Sequence, residues 1–175
     1  MALSAITVSN TDHFSKGGVK KLTLGIYDST TLVDVDTAAQ TAVDSTLVLG
    51  TSTAVIDFEK ETANMTISAT QERGLMMFTV SIEGYVAKIG SSKLVALQAM
   101  VGEALVAKVE TYDGVDYVVG FDGVLGTGEG SAGSATDFPL FLESIEGGSG
   151  SALADGTGLT LKLTAVQGAL PYVLA

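Results

Sequence analysis

Residues 63–83, ANMTISATQERGLMMFTVSIE, decide the fold of this chain because apolar and polar side chains alternate along both halves of the stretch. Apolar residues hold every second position on either side of a central turn: Met65, Ile67, Ala69, Met76, Phe78, Val80 and Ile82. Alternation over this length predicts two half-buried strands, and the turn at residues 71–74 predicts that they pair as an antiparallel hairpin. A slip of one residue would turn a core face outward, so the register is well specified.

The opposite side of this hairpin carries hydroxyl groups and almost no charge. We call it the hydroxyl face and define it by Thr66, Ser68, Thr70, Thr79, Ser81 and Glu83. Two interpretations stay open. The face is ordinary solvent-exposed surface, or it lines a wide channel shared by several copies, where polar groups without positive charge would let a polyanion pass without binding.

The one helical pattern of the chain follows at about residues 91–101. Serines at its start offer an N-cap, and Gly102 offers a stop. Four apolar residues are predicted to pack this helix on the sheet: Leu94, Leu97, Met100 and Val101. Beyond it, Asp113-Gly114 between two β-rich runs predicts the tight turn of a second hairpin.

Shorter alternating or apolar runs predict further strands at residues 19–27, 138–145 and 159–164. The length of 175 residues fits a single domain, 1–175. We therefore predict a mainly β fold, an antiparallel β-sandwich or barrel-like subunit with one short flanking α-helix. Segments rich in Gly, Ser, Thr and Asp are predicted to be mobile loops, at about 28–53, 123–137 and 146–158.

The charge of the chain is strongly acidic, with 20 Asp and Glu against nine Lys and Arg, a net charge of −11. Nucleic-acid-binding proteins need clustered basic residues to neutralise phosphates, so this composition excludes a DNA-binding protein and favours repulsion of DNA. No run of about 18 apolar residues is present, which predicts no membrane-spanning helix. The first residues lack a basic region ahead of an apolar one, which predicts no secretory signal.

The residues that catalysis or metal binding would need are missing or badly spaced. Cysteine is absent and His13 is the only histidine, which excludes thiolate sites, triads and multi-histidine metal sites. Three aspartates lie near one another, at Asp34, Asp36 and Asp44, but without the glycine and glutamate of a calcium-binding loop. We predict that the protein is not an enzyme and has no catalytic residue or metal site.

A match to the dinucleotide-binding pattern G-x-G-x-x-G occurs at Gly128, Gly130 and Gly133. That motif holds a pyrophosphate only where it leaves a strand and opens a helix. Here Pro139 and no helical period follow, so we predict a loop and no bound cofactor.

The basic residues Lys16, Lys20 and Lys21 form the one basic cluster of the chain. Two interpretations stay open for it as well. It is the solvated start of a strand, or it is an arm that meets the acidic surface of a neighbouring copy, since opposite charges steer association.

The order of a long hairpin, a short helix, a tight hairpin, a glycine-rich loop and final strands resembles the tail tube proteins of tailed bacteriophages. That family is related in fold to the tubes of contractile injection systems. The likeness covers about residues 58–163 and is carried by ANMTISATQERGLMMFTVSIEG at 63–84 and SKLVALQAMVGEALVAKVETYDGVDYVVGFDGVLGTG at 92–128. In the family a β-sandwich carries one flanking helix, and the inner strands of hexameric rings form a continuous β-barrel.

The resemblance implies a structural virion protein, a tail tube subunit that stacks in hexameric rings around a channel for DNA. The hydroxyl face would line the lumen, and residues 28–53 would correspond to the loop that stacks the rings. The implied partners are further copies and other phage tail proteins, with DNA only in passage and no membrane. The implied location is the phage tail of the virion, after assembly in the host cytoplasm.

Two other functions remain as alternatives. A capsid decoration protein or a head-to-tail connector protein of a tailed phage is also β-rich, acidic and rich in loops. A soluble β-sandwich module for binding or adhesion belongs to a different class, and the absence of tryptophan argues against its carbohydrate-binding form.

Overall fold

The computed structural model describes residues 18–27, 30–32, 35–36, 41–42, 47–72, 74–88, 90–120, 139–148, 157–168 and 170–175. Its strands in chain order are β1 Val19–Ile26, β2 Thr31–Leu32, β3 Val35–Asp36, β4 Thr41–Ala42, β5 Leu47–Val48, β6 Thr53–Asp57, β7 Asn64–Glu72, β8 Leu75–Ala87, β9 Leu105–Thr111, β10 Asp116–Val119, β11 Phe141–Gly148, β12 Gly158–Gln167 and β13 Tyr172–Leu174. The helix α1, Ser91–Met100, connects β8 to β9.

Two main sheets are formed. One has seven strands in the order β3-β4-β13-β10-β9-β1-β6, and the other has four in the order β11-β12-β8-β7. A separate two-stranded ribbon pairs β2 with β5. All pairs are antiparallel except β13 with β4, which run parallel. The predicted mainly β, sandwich-like fold with one short helix is confirmed.

The main core lies between these two sheets. The fully buried Leu22 and Leu24 of β1 belong to the same apolar cluster as Val80 and Ile82 of β8. A second, smaller cluster gathers Val106, Val118, Tyr172 and Leu174, against which Leu47 and Leu49 pack. The seven-stranded sheet therefore buries apolar side chains on both of its faces.

The β7–β8 hairpin has the predicted register. Met65 pairs with Ile82 and Ile67 pairs with Val80, so the apolar positions of the two strands share one face. β8 also pairs with β12 along ten residues, which makes it a central strand of the four-stranded sheet. The alternation in the sequence therefore predicted both the strands and their pairing.

The helix agrees with the prediction in its length but not in all its contacts. Gly102 adopts a φ of 81° just after α1, as a stop position requires, whereas the N-cap is Gly90 and no side chain caps the helix. Leu97 and Met100 are buried, as predicted.

For the other two residues of the predicted helix face, the prediction is wrong. Leu94 is 48% exposed and Val101 is 62% exposed. At about 100° per residue, both lie roughly 70–90° around the helix from the side that Leu97 and Met100 bury. Because α1 carries apolar residues around most of its circumference, the helical period alone could not decide which side faces the core.

The predicted loops need correction where they overlap described residues. Segment 28–53 contains the short strands β2, β3, β4 and β5 and the first residue of β6. The loop predicted at 146–158 is shortened at both ends, because Gly147 pairs with Leu159 and extends the β11–β12 ladder. The loop predicted at 123–137 lies outside the described residues.

Candidate functional site

The hydroxyl face is a continuous surface of the four-stranded sheet. Thr66 lies directly opposite Ser81, and Ser68 lies directly opposite Thr79, on the side of the hairpin away from the main core. The Thr66 hydroxyl donates to the Ser81 carbonyl oxygen at 3.4 Å. Thr70 and Glu83 occupy the same side by strand alternation, so the structure brings all six predicted residues onto one face.

Strand β12 widens this face in a way that the sequence analysis missed. Thr164 lies opposite Ser81, Lys162 opposite Glu83 and Thr160 opposite Tyr85. The alternation of leucines at 159, 161 and 163 was the available signal, because it places Thr160, Lys162 and Thr164 on the opposite side. What the sequence did not show was that β12 pairs with β8.

Acidic side chains outnumber the one lysine on the described part of this surface, since Glu146 also lies there, opposite Thr160. Glu143 lies at a bulge in β11. Its carboxylate accepts a hydrogen bond of 2.5 Å from the Thr164 hydroxyl and forms an ion pair of 2.9 Å with Lys162. The Thr164 hydrogen bond, and after it the Lys162 hydrogen bond, lower the pKa of Glu143. Glu143 and Glu83 therefore flank the one lysine on the described part of this face, and no basic cluster forms there.

The two edges of the four-stranded sheet differ in how well they are protected from pairing with a strand of another chain. In the described part of the chain, neither β7 nor β11 has another strand at its outer side. β11 carries a bulge near its start, between Leu142 and Ser144. β7 is nine residues long, pairs with β8 without a bulge, and has neither proline nor lysine. Proteins commonly use those devices to stop edge strands from pairing with other chains, so β7 is an open template for another strand.

The predicted basic arm is not supported where the structure describes it. Lys20 and Lys21 lie in β1, which has β9 and β6 as neighbours, so the placement of these two residues on an arm is wrong. Lys21 forms an ion pair of 3.3 Å with Glu110 of the adjacent strand. Lys16 lies outside the described residues, and a role of this cluster between copies stays a prediction.

Side chains that could bind a metal ion are not clustered in the described residues. Among them, no set of three or more His, Asp or Glu side chains is placed to hold a metal ion. The ten-residue α1 is too short to cross a membrane, and the described part of the chain has no other helix that could. His13 and the glycines at 128–133 lie outside the described residues, and Asp36 lies in β3.

Comparison with known proteins gives no relative. No protein-family model matches the chain, no curated protein matches its sequence, and no solved structure matches its fold.

Proposed function

We propose that this protein is a structural subunit of a bacteriophage tail tube, which forms stacked hexameric rings around a channel through which DNA passes. The observation that carries the proposal is the four-stranded sheet, whose outer strands β7 and β11 have no further strand beside them in the described part of the chain and whose outer side carries the hydroxyl face. A sheet with one free edge at each side can continue into an identical sheet at both sides. When the repeated rotation from one copy to the next adds up to a full turn, such head-to-tail contacts produce a ring.

The geometry of such a ring fits a conduit for duplex DNA. Six copies of a four-stranded sheet would give roughly 24 strands, and at ~4.8 Å between strands the circumference is about 115 Å. The corresponding diameter is about 37 Å, and the usual tilt of strands in barrels widens it further. The core side of each sheet is occupied by the seven-stranded sheet, so the hydroxyl face is the side left to line the channel.

The electrostatics of the protein also suit passage of a polyanion. The chain carries a net charge of −11, and Lys162 on the hydroxyl face is paired with Glu143. Protein–DNA affinity comes largely from Lys and Arg that displace counterions from phosphates. A surface of hydroxyl and carboxylate groups, whose one described lysine is paired with Glu143, would not retain DNA as it moves.

Electron microscopy of the purified protein over a range of concentrations tests this proposal. The expected result is rings or tubes with a central channel, formed in greater number as the concentration rises. A particle that stays monomeric at every concentration would refute the proposal. Binding to an icosahedral capsid lattice in place of ring formation would support a decoration protein instead.

A matched pair of variants tests the role of the β7 edge. Ile67→Lys puts a charge on this edge strand, whereas Val48→Lys puts the same charge at another exposed apolar position, in β5. Lysine on an edge blocks strand addition. We expect Ile67→Lys to remain folded by circular dichroism but to form no rings, and Val48→Lys to form them normally. Rings from both variants would contradict the proposed edge pairing.

The lumen assignment has a separate test in assembled phage. Thr66→Lys combined with Ser81→Lys adds two cations to the hydroxyl face without touching the core side. We expect tubes to assemble and DNA ejection to slow, because the new cations bind phosphates. If assembly itself fails, these two positions do not face the lumen.

A further inference from the structure

The outer strands β7 and β11 of the four-stranded sheet are offset from each other along the strand direction. The pairing through β8 and β12 places Asn64 of β7 level with Ser144 of β11, and Thr66 level with Phe141. Past Thr66, β7 continues for six more residues, whereas β11 begins at Phe141. Past Ser144, β11 continues for four more residues, whereas β7 begins at Asn64. Each edge of the described sheet therefore has a stretch of strand that extends past the opposite edge.

Neighbouring copies in a ring bring β11 of one copy beside β7 of the next. The sheet has four antiparallel strands, so its two outer strands run in opposite directions. A rotation about the ring axis preserves the direction of each strand, and the contact between copies is therefore antiparallel. Without displacement along the strands, the two edges would overlap only between the levels of Asn64 and Thr66. Most backbone N–H and C=O groups of both edges would then have no strand partner.

A displacement of four residues pairs the whole of β11 with β7. Ser144 of one copy then lies opposite Ser68 of the next, Gly148 lies opposite Asn64, and Glu143 is left as the extra residue of the bulge. The displacement must be even, because side chains alternate between faces and the hydroxyl face has to continue from copy to copy. We infer that β11 of one copy pairs with β7 of the next in this alignment, which we call the staggered register.

The apolar side chains of the two edges match in the staggered register. On the core side of the sheet Ile67 is 43% exposed and Ile145 is 39% exposed, and this register places them directly opposite each other. Opposite residues of antiparallel strands are in contact, so the pair would remove apolar surface of both isoleucines from water. A displacement of two or six residues would place Ile145 opposite Met65 or Ala69 instead. The side chains therefore favour a displacement of four residues.

The same displacement suits closure of a barrel, and here the inference rests on the proposed function, a ring of six copies. Strands in a closed barrel tilt because their pairing is displaced by a fixed total around the circumference. Four residues at each of six contacts give a total of about 24, equal to the approximate number of strands. Eight-stranded barrels with a total of about eight residues have a strand tilt of about 36°, and the same ratio gives the same tilt here. That tilt lies in the usual range of ~35–45°.

Engineered disulfides test the staggered register, because the natural chain has no cysteine. Two variants join positions that this register places opposite each other: Ser68→Cys with Ser144→Cys, and Ile67→Cys with Ile145→Cys. Opposite residues of antiparallel strands lie alternately about 5.5 and 4.5 Å apart between Cα atoms, within the ~7 Å that a disulfide needs. Within one copy the two edges are three strand spacings apart, roughly 14 Å, so every crosslink joins two copies.

The control is Asn64→Cys with Ser144→Cys, whose positions lie opposite each other only without displacement and about 13 Å apart in the staggered register. Rings are assembled in reductant, verified by electron microscopy, oxidised mildly and then dissociated in denaturant. We expect covalent ladders of two to six copies from at least one of the first two variants and none from the control. Crosslinking of the control, or rings of both other variants that stay uncrosslinked, would overturn the staggered register. Absence of rings from the natural chain would refute the proposed function itself.

A charge substitution tests the same register without cysteine. The staggered register places Thr66 of one copy opposite Glu146 of the next. Thr66→Glu should therefore raise the protein concentration needed for rings by up to about fivefold, because like charges directly opposite destabilise strand pairing. Adding Glu146→Thr should restore the natural concentration, whereas adding Glu83→Thr, which removes a carboxylate diagonal to Thr66 in the same copy, should not. An unchanged concentration for Thr66→Glu, or restoration by Glu83→Thr alone, would overturn the staggered register while leaving ring formation intact.

Discussion

The two ends of the β7–β8 hairpin follow the same alternation but differ completely in burial. Near its base, Ile82 is fully buried, and its cross-strand partner Met65 packs against the same core. Toward the tip, Met76 is 47% exposed and Ala69 is exposed on that same face. Alternation therefore specifies the side to which a residue points, whereas the extent of the opposite sheet decides whether that side is covered.

This difference separates two tasks within one element. The base of the hairpin stabilises the subunit, because its apolar face meets the seven-stranded sheet. The outer half contributes little to that core, and its apolar residues are available for contacts between copies. Substitutions along the hairpin should therefore change stability at the base and association toward the tip.

The largest effect is expected for Ile82→Ala at the base. Ile82 has no exposed surface and belongs to the main core. Removing its side chain should lower the free energy of unfolding by about 2–5 kcal/mol through lost burial and the cavity that remains. Chemical denaturation monitored by circular dichroism measures this. A loss below about 1 kcal/mol would mean that the two sheets are not closely packed at this position.

A smaller effect is expected for Gly84→Ala, two residues further along β8. A methyl group there would lie 2.5 Å from Cδ1 of Phe58 and 2.6 Å from Cβ of Ala63. Overpacking of this kind should lower the free energy of unfolding by about 1–3 kcal/mol. Gly148→Ala is the matched control because nothing lies within 4 Å of its added methyl group. Equal stability of the two variants would show that the base of the hairpin is loosely packed.

Ile67→Ala should change the free energy of unfolding by less than about 1 kcal/mol, although it makes the same chemical change as Ile82→Ala on the same face. The reason is that Ile67 lies on the edge strand and keeps 43% of its surface exposed. The same denaturation experiment compares the two directly. A cost equal to that of Ile82→Ala would mean that Ile67 on the edge strand is as well buried as Ile82 on the central strand.

The smallest effect concerns Glu143, on the opposite edge of the same sheet. Its pKa is lowered by the hydrogen bond from Thr164 and then by Lys162, so its contribution to stability is present above the ordinary pKa of glutamate. That contribution is lost as the pH falls through the lowered pKa of the folded state. Glu143→Gln should therefore be slightly less stable than the natural chain at neutral pH and equal to it in acid.

NMR titration of the Glu143 carboxyl provides the independent check. Thr164→Val should move its midpoint upward, toward the ordinary value, since it removes the first cause of the shift. A midpoint that does not respond to this substitution would mean that the hydrogen bond is absent in solution.

Local patterns in the sequence were sufficient for the elements that pair with their neighbours in the chain. Strict alternation gave the β7–β8 hairpin, and Asp113-Gly114 gave the β9–β10 hairpin, where Gly114 adopts the expected positive φ of 84°. Pairings between distant segments, such as β1 with β9 and β8 with β12, have no local signal. The set of strands that forms each sheet could therefore not be predicted from the sequence.

The residues of the candidate site could likewise be predicted where they depend on local alternation in the sequence, and not elsewhere. The six predicted residues of the hydroxyl face depend only on alternation within the hairpin, so they were found. Glu143 was not found because a bulge changes which residues of β11 share a face. The strands β6 and β13 were also missed, since both are short and neither shows a clear alternation of apolar and polar residues.

The position of β8 between β7 and β12 has a consequence for synthesis on the ribosome. β7 leaves the ribosome immediately before β8, whereas β12 begins about 70 residues after β8 ends, a delay of roughly 4–14 s at ordinary rates of translation. During that delay one side of β8 has no partner, and unpaired strands promote aggregation. We expect the threonine and serine side chains on one face to keep the early hairpin hydrated during this delay and to limit its aggregation.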